Sequence, residues 1–342
     1  MFLIRQAGPA DFDQVYPLAK ILDSYNLPAD RSYIRRLLNI SEASFQGRLP
    51  KKRAKYLFVL EEGGGGSSGG ARIVGCSLII AKHGIPGNPH LWFALDTVTK
   101  RSRTLGIERS HQVLRLGYTE DGPTEVGGLI VLPRFRKHSQ MCGLQISFVR
   151  FLYMAIHPER FGSEVIVEYR GAMGAGSKSL FWEKVGRVFT GMPYQRADRL
   201  SVTNKEFIWN LMPREPIYCA LLPQSVQRAI GAIHPAAQRA ANLLKSIGFK
   251  PLPQIEPFDG GPYYSARREA IRLARQMRSV RLTKARRLGG RFYLVGTEAG
   301  ATFRAVLARC TLANGLLYVE NNGWRELSVR AGEKGYACPL SG

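Results

Sequence analysis

The 342-residue sequence predicts an α+β fold, a mixed sheet flanked by helices, with a small C-terminal β-barrel-like unit. Three observations carry this. Near the N-terminus, strand-like "FLIRQ" precedes helix-like "GPADFDQVYPLAKIL". Further on, "TEVGGLIVLP" is a strand pattern that runs through a basic turn into a helical one. The C-terminal stretch from "FYLVG" to "YACPL" alternates β-branched and aromatic residues between Gly and Asn turns.

Taken in order, "FLIRQ" is a short strand and Asp11 is the expected N-cap of an amphipathic helix. "AKYLFVLEE" and "ARIVGCSLIIAKH" are strands, and "GGGGSSGG" between them is a hairpin tip. A phosphate-loop reading of these glycines fails, because no Lys-Ser/Thr follows and a strand comes next. In "TEVGGLIVLPRFRKHSQMCGLQISFVRFLYMAIHP" a strand runs through Leu132, and Ile146, Val149, Leu152, Tyr153 and Ile156 then fall at helical spacing. "SEVIVEYRG" supplies another strand. A strand, a basic turn and a helix N-terminus together offer backbone N–H groups and a helix dipole to a phosphate.

"SLFWEKVGRVF" and "ANLLKSIGFK" share a form, and Gly186 and Gly248 read as helix-ending glycines before strands. This echo leaves room for two related halves, 1–190 and 191–265, within a region 1–265. Residues 266–342 then form a basic segment plus the small β unit.

The 49 Lys+Arg against 26 Asp+Glu give a net charge of +23, a field that attracts nucleic acid and phosphorylated small molecules alike. Between Arg267 and Arg291, nine arginines and one lysine stand against one glutamate. Arg268, Arg272 and Arg275 fall on one predicted helical face that Arg278 extends, which keeps a polyanion- or RNA-binding module open as a reading of a different class. The five cysteines lie far apart without a C-x-x-C pair, so reduced, buried thiols and no metal site are expected. The N-terminus reaches acidic residues too soon for a signal peptide, and the apolar run "FVRFLYMAIHP" is broken by Arg150. A cytoplasmic protein that does not enter the membrane is therefore expected.

With "YLFVLEE", "TEVGGLIVLPRFRK", "VEYRG" before "SLFWEKVG", "FIWNLMPREPIY", "QRAIGAIHP" and "FDGGP" in this order, the chain resembles the arginine N-succinyltransferases along nearly its whole length. These are acyl-CoA-dependent enzymes with a fold related to the GCN5-type N-acetyltransferases. The resemblance implies transfer of a succinyl group from succinyl-CoA to the α-amine of arginine, by direct attack on the thioester. It implies no cofactor beyond the acyl-CoA co-substrate. It also implies that His234 of the "HP" motif is the general acid or proton donor and that Leu129 contacts the acyl-CoA. A homo-oligomer or a pairing with a homologous chain is the expected assembly.

By local pattern, His234 is a helix-entry residue, since Pro235 suits the first helical position. In related acyltransferases the strand before the coenzyme loop grips the pantetheine arm, a role that here falls on Gly127, Gly128, Leu129 and Ile130; the other reading of those residues is a core strand with a bulge. Arg136, Lys137 and Gly143 of the loop 136–143 suit a pyrophosphate, although this loop is about two residues longer than in its relatives and lacks one glycine. Glu125, Glu168 with its neighbour Arg170, and Asp259 are the candidate substrate-binding residues. Salt bridges to arginines for the glutamates, and a plain Asp-Gly-Gly turn for Asp259, are the competing readings. Between "VEYRG" and "SLFW" the family carries an acidic Asp-Glu pair where this chain reads "AMGAGSK", so another amine such as ornithine, or another acyl-CoA, stays open.

Overall fold

The computed structural model describes residues 1–22, 24–63, 71–174, 178–286, 289–300 and 302–340. Its strands follow in chain order: β1 (Phe2–Gln6), β2 (Lys55–Glu62), β3 (Arg72–Ile80), β4 (His90–Ser102), β5 (Ile107–Thr119), β6 (Thr124–Val131), β7 (Glu164–Glu168), β8 (Ile217–Tyr218), β9 (Lys250–Ile255), β10 (Pro262–Arg267), β11 (Arg278–Lys284), β12 (Arg291–Ala299), β13 (Thr302–Ala313), β14 (Leu316–Val319) and β15 (Lys334–Pro339). Three long helices matter for the site: α1 (Phe12–Leu22), α2 (Arg31–Phe45) and α3 (Cys142–Ile156). The chain forms two compact units interleaved in sequence, Met1–Lys82 with Thr124–Val165 and Arg267–Gly342, and His83–Pro123 with Ile166–Ala266. These interleaved units differ from contiguous segments bounded at 190 and 265.

In the first unit the strand order is β12, β15, β11, β14, β13, β1, β2, β3, β6. Alternation on β2 assigns its two faces: Leu57 and Val59 join Val15, Leu18, Ile34 and Leu38 of α1 and α2 in one apolar cluster. Phe58, one residue out of step, meets Tyr153 of α3 edge-on at 5.4 Å. α3 is buried along most of its surface, Arg150 included at 1% exposure. The apolar spacing expected for this helix is present. Pairing of β12 with β13 closes β11 to β15 into a five-stranded barrel in which Val280, Leu282, Val295, Val306, Leu317 and Val319 point inward. The α+β expectation and the C-terminal barrel are both realised.

In the second unit the order is β7, β10, β9, β4, β5, β8. Leu91, Phe93, Leu114 and Ile255 of this sheet pack with Phe181, Trp182, Phe207 and Phe258, and Trp182 stacks on Phe258 at 4.8 Å. Beyond Asp96 the β4–β5 hairpin is largely solvent-exposed.

Several local expectations change. Asp11 does not cap α1: it ends a 3-10 turn, accepts the Gly8 N–H at 2.9 Å and pairs with Arg5 at 2.8 Å, since a half-buried guanidinium competes for its carboxylate. Gly186 starts the short helix Gly186–Thr190 under the Trp182 ring, and no strand follows. Gly248 does end a helix, at φ +112°, ahead of β9. The single arginine face does not form: Arg268 lies in a 3-10 turn, Arg272 and Arg275 in the helix Arg272–Gln276, and Arg278 opens β11. There the period-2 burial of Val280 and Leu282 in the barrel overrides the helical spacing of the arginines. β2 and β3 pair as a hairpin, and residues 64–70 of its glycine-rich tip lie outside the described residues. Among the described residues no helix is long and apolar enough to cross a membrane.

Candidate active site

The predicted residues distribute over both units. In the first, β6 carries Glu125, Gly127, Gly128, Leu129 and Ile130. Its register against β3 runs Ile80↔Glu125, Leu78↔Gly127 and then Cys76↔Ile130, so Gly128 and Leu129 together face only Ser77. This is a β-bulge, and Gly128 has φ +55°, a left-handed conformation that favours glycine. Gly127 is required for a different reason: a Cβ there would collide with the Asn26 carboxamide. Asn26 Nδ2 donates to Glu125 Oε1 at 2.6 Å. Glu125, the second residue of β6 and 1% exposed, is a buried partner of Asn26.

After β6 the chain makes a 3-10 turn, Pro133–Phe135, and the exposed Arg136 donates through Nε to the Val131 carbonyl at 3.0 Å. Lys137 is exposed. Met141 enters α3 with φ +53°, stabilised by its N–H bond to the His138 carbonyl at 2.9 Å. The N–H groups of Cys142 and Gly143, at the start of the first turn, have no acceptor within the helix, whereas that of Leu144 bonds the Met141 carbonyl at 2.9 Å. A Cβ at Gly143 would meet nothing within 4 Å, so glycine there leaves an open approach to the helix end. Two cations and the N-terminus of a 15-residue helix form an anion-receptive corner. Burial raises the Cys142 thiol to about 11 and the Cys76 thiol to about 12, so neither is a thiolate nucleophile at neutral pH.

In the second unit three predicted residues come together. The His234 N–H donates to the Arg170 carbonyl at 2.8 Å, and Gly171 bridges Ile233 in antiparallel fashion. Asp259 locks the same strand: its Oδ2 accepts the Gly171 N–H and its Oδ1 accepts the Gly261 N–H, both at 2.8 Å. Glu256, missed in the sequence, accepts the N–H groups of Phe258 at 2.7 Å and Asp259 at 2.8 Å through one oxygen. A glutamate three residues before an Asp-Gly-Gly turn, able to bond forward to backbone N–H groups, is a legible signal for it. Glu168 accepts from the Tyr263 hydroxyl at 3.2 Å.

Burial, the charge of Glu168 and that of Asp259 push the Glu256 carboxyl well above the carboxylate range. Burial also raises Asp259, against the N–H bonds of Gly171 and Gly261 and the charge of Arg170. The Tyr194 hydroxyl is pushed up by burial, with Asp198, Asp259 and Glu256 adding to it. Glu168, Glu256 and Asp259 thus gather three acidic groups in a basic protein, and burial with the two neighbouring charges favours the protonated form of Glu256.

His234 is the N-cap of the 3-10 turn Pro235–Ala237, and Pro235 sits at the first position as expected. Its Nδ1 accepts the Ala236 N–H at 3.2 Å. A lone pair used at Nδ1 leaves the neutral ring's proton on Nε2, so the half-buried imidazole offers an N–H donor through that atom.

Comparison with known proteins gives a consistent set of matches. The family model of the arginine N-succinyltransferase beta subunit matches residues 2–273. Arginine N-succinyltransferase subunit alpha of Pseudomonas aeruginosa is 36% identical over 313 residues, 90% of each chain. Arginine N-succinyltransferase of Escherichia coli is 31% identical over 339 residues, 98% of this chain and 96% of that one. The solved structure of arginine/ornithine succinyltransferase subunit AI from Pseudomonas aeruginosa has a TM-score of 0.86 at 32% identity, across 100% of this chain and 99% of that one. The protein is an acyl-CoA-dependent N-acyltransferase. Within that class, the chain belongs to the arginine N-succinyltransferase family.

Proposed function

We propose that the protein transfers the succinyl group of succinyl-CoA to the α-amine of arginine. The observation that carries this reading is the chain-long likeness to enzymes whose names give that reaction. The amine nitrogen attacks the thioester carbonyl carbon and forms a tetrahedral oxyanion; the C–S bond then breaks, the nitrogen loses one proton and the thiolate gains one. The α-amine must be neutral to attack, and a modest base or an ordered water suffices for its deprotonation. No covalent enzyme intermediate is needed, in keeping with the raised thiols of Cys142 and Cys76.

In this reading the bulged strand Gly127, Gly128, Leu129, Ile130 holds the pantetheine arm, and Arg136, Lys137 and the α3 N-terminus at Gly143 receive the phosphates. His234 hydrogen-bonds the departing sulfur through its Nε2–H, directly or through water, because its Nδ1 is already engaged by Ala236, and the proton that the amine loses passes through water to the thiolate. Glu168 receives the arginine cation, and Asp259 and Glu256 hold the backbone around Arg170 and His234 in place. The enzyme works in the cytoplasm, where acyl-CoA is at hand, as a homo-oligomer or beside a homologous chain, a reading supported by the subunit names of its relatives.

Ornithine is the second reading of the acceptor. Lys178 lies where the family's acidic pair is expected, residues 175–177 lie outside the described residues, and the solved relative is named for both amino acids. Initial rates of thiol release from succinyl-CoA with arginine, ornithine and lysine test the choice. A kcat/KM for arginine above the others supports the first reading, and the reverse order replaces it with the second.

A further inference from the structure

The Asn26 carboxamide is 8% exposed and stands in the turn closed by the bridge Ser24↔Leu27, between α1 and α2. It lies against Gly127, where a Cβ would collide with it. Chemistry fixes which way the amide points. Glu125 Oε1, 2.6 Å away, is a carboxylate oxygen that accepts, so the Asn26 nitrogen faces it. The other end of the amide, Oδ1, is buried, and among the described residues no donor reaches it. Buried amide oxygens are ordinarily bonded, so a bare one next to an interrupted strand marks a place prepared for a donor. The interruption is adjacent: Gly128 and Leu129 have left the β3 ladder, and their peptide groups lie at the bulge.

We propose that Asn26 Oδ1 is a substrate-binding group, accepting a hydrogen bond from an N–H of the substrate that lies along the β6 bulge. Two sources carry that chemistry, an amide N–H of the pantetheine arm and the amino group of the acyl acceptor. The proposal rests on the acyl-transfer reading of the same strand. Glu125 acts through Asn26 by denying the amide its flipped orientation, and Gly127 acts by giving it room.

The test pairs kinetics with binding. Asn26→Ala is assayed with succinyl-CoA and arginine, each varied in turn, and coenzyme A is titrated calorimetrically into parent and variant without amine. Asn26→Leu, which keeps the volume, stands in if the alanine variant does not fold. A loss of one buried neutral hydrogen bond predicts about a tenfold rise in one KM with the other within about twofold. If coenzyme A binding weakens by the same factor, the donor is on the pantetheine arm; if it is unchanged and the arginine KM rises, the donor is the acceptor amine. Both KM values and the coenzyme A affinity at parent levels in a folded variant overturn the proposal. A parent that binds coenzyme A yet leaves arginine unmodified contradicts the functional reading instead, and the calorimetric comparison alone then decides on Asn26.

Discussion

The backbone N–H of His234 donates to the carbonyl oxygen of Arg170 at 2.8 Å, so the histidine is fastened by main chain to the strand that Asp259 holds. Fixed this way, with Nδ1 bonded to the Ala236 N–H, the ring presents a donor at Nε2. His234→Gln also presents an N–H that can hydrogen-bond the departing sulfur, but it can act neither as a base nor as a proton donor. If hydrogen-bond donation is the role, the glutamine variant retains at least about tenfold more turnover than His234→Ala. Equal rates for the two folded variants refute hydrogen-bond donation.

Asp259 ties two backbone N–H groups, those of Gly171 and Gly261. Asp259→Ala leaves Gly171 and Gly261 without their acceptor and is expected to cost about 2–4 kcal/mol of stability, read as a shift in the denaturation midpoint. Asp259→Asn keeps one acceptor oxygen and is expected to lose less. Because His234 hangs on the same strand, the asparagine variant also lowers kcat more than it raises either KM.

Glu256 gives stability an unusual pH dependence. Its folded pKa lies above the ordinary 4.5, so from about that pH upward the unfolded chain releases a proton that the native chain keeps. The native state therefore binds more protons, and the contribution of Glu256 to stability is lost as pH rises toward its folded pKa. Glu256→Gln can still accept from the N–H groups of Phe258 and Asp259. It is expected to flatten the fall in stability above pH 5, measured by urea unfolding across pH. An unchanged slope removes Glu256 from this role.

His90 acts in the opposite direction. It is 4% exposed among His83, Trp92 and Tyr263, and burial, with the charges of His83 and Lys205, holds it well below the usual 6.5. Below that pH the unfolded chain gains a proton that the native chain refuses, so stability falls by up to about 1.4 kcal/mol per pH unit. His90→Phe is expected to remove this component between pH 6 and 5.

Much of this architecture is legible in the sequence because burial follows period. The α3 helix and the barrel strands are recognisable from their spacing, and the bulge in β6 from its paired glycines. The β4–β5 hairpin was not, because beyond Asp96 and before Val113 its residues are mostly exposed and polar and carry no apolar alternation; Gly106 in its turn, φ +62°, was the available cue. Arg268 to Arg278 misled for the converse reason: helical spacing of charges has no force against a barrel that buries Val280 and Leu282. At the site, His234, Arg170 and Asp259 were accessible as motif residues. Their mutual bonds, and the part played by Asn26, arise from chain segments far apart in sequence, which no local pattern records, whereas Glu256 bonds two and three residues ahead and left a local cue.

Thiol release from succinyl-CoA in the presence of arginine, measured for the parent and for His234→Ala, decides most directly whether this histidine serves succinyl transfer. The predicted result is arginine-dependent turnover in the parent and a fall on the order of a hundredfold or more in the variant, at unchanged folded content. Parent-like turnover in a folded His234→Ala protein would contradict it.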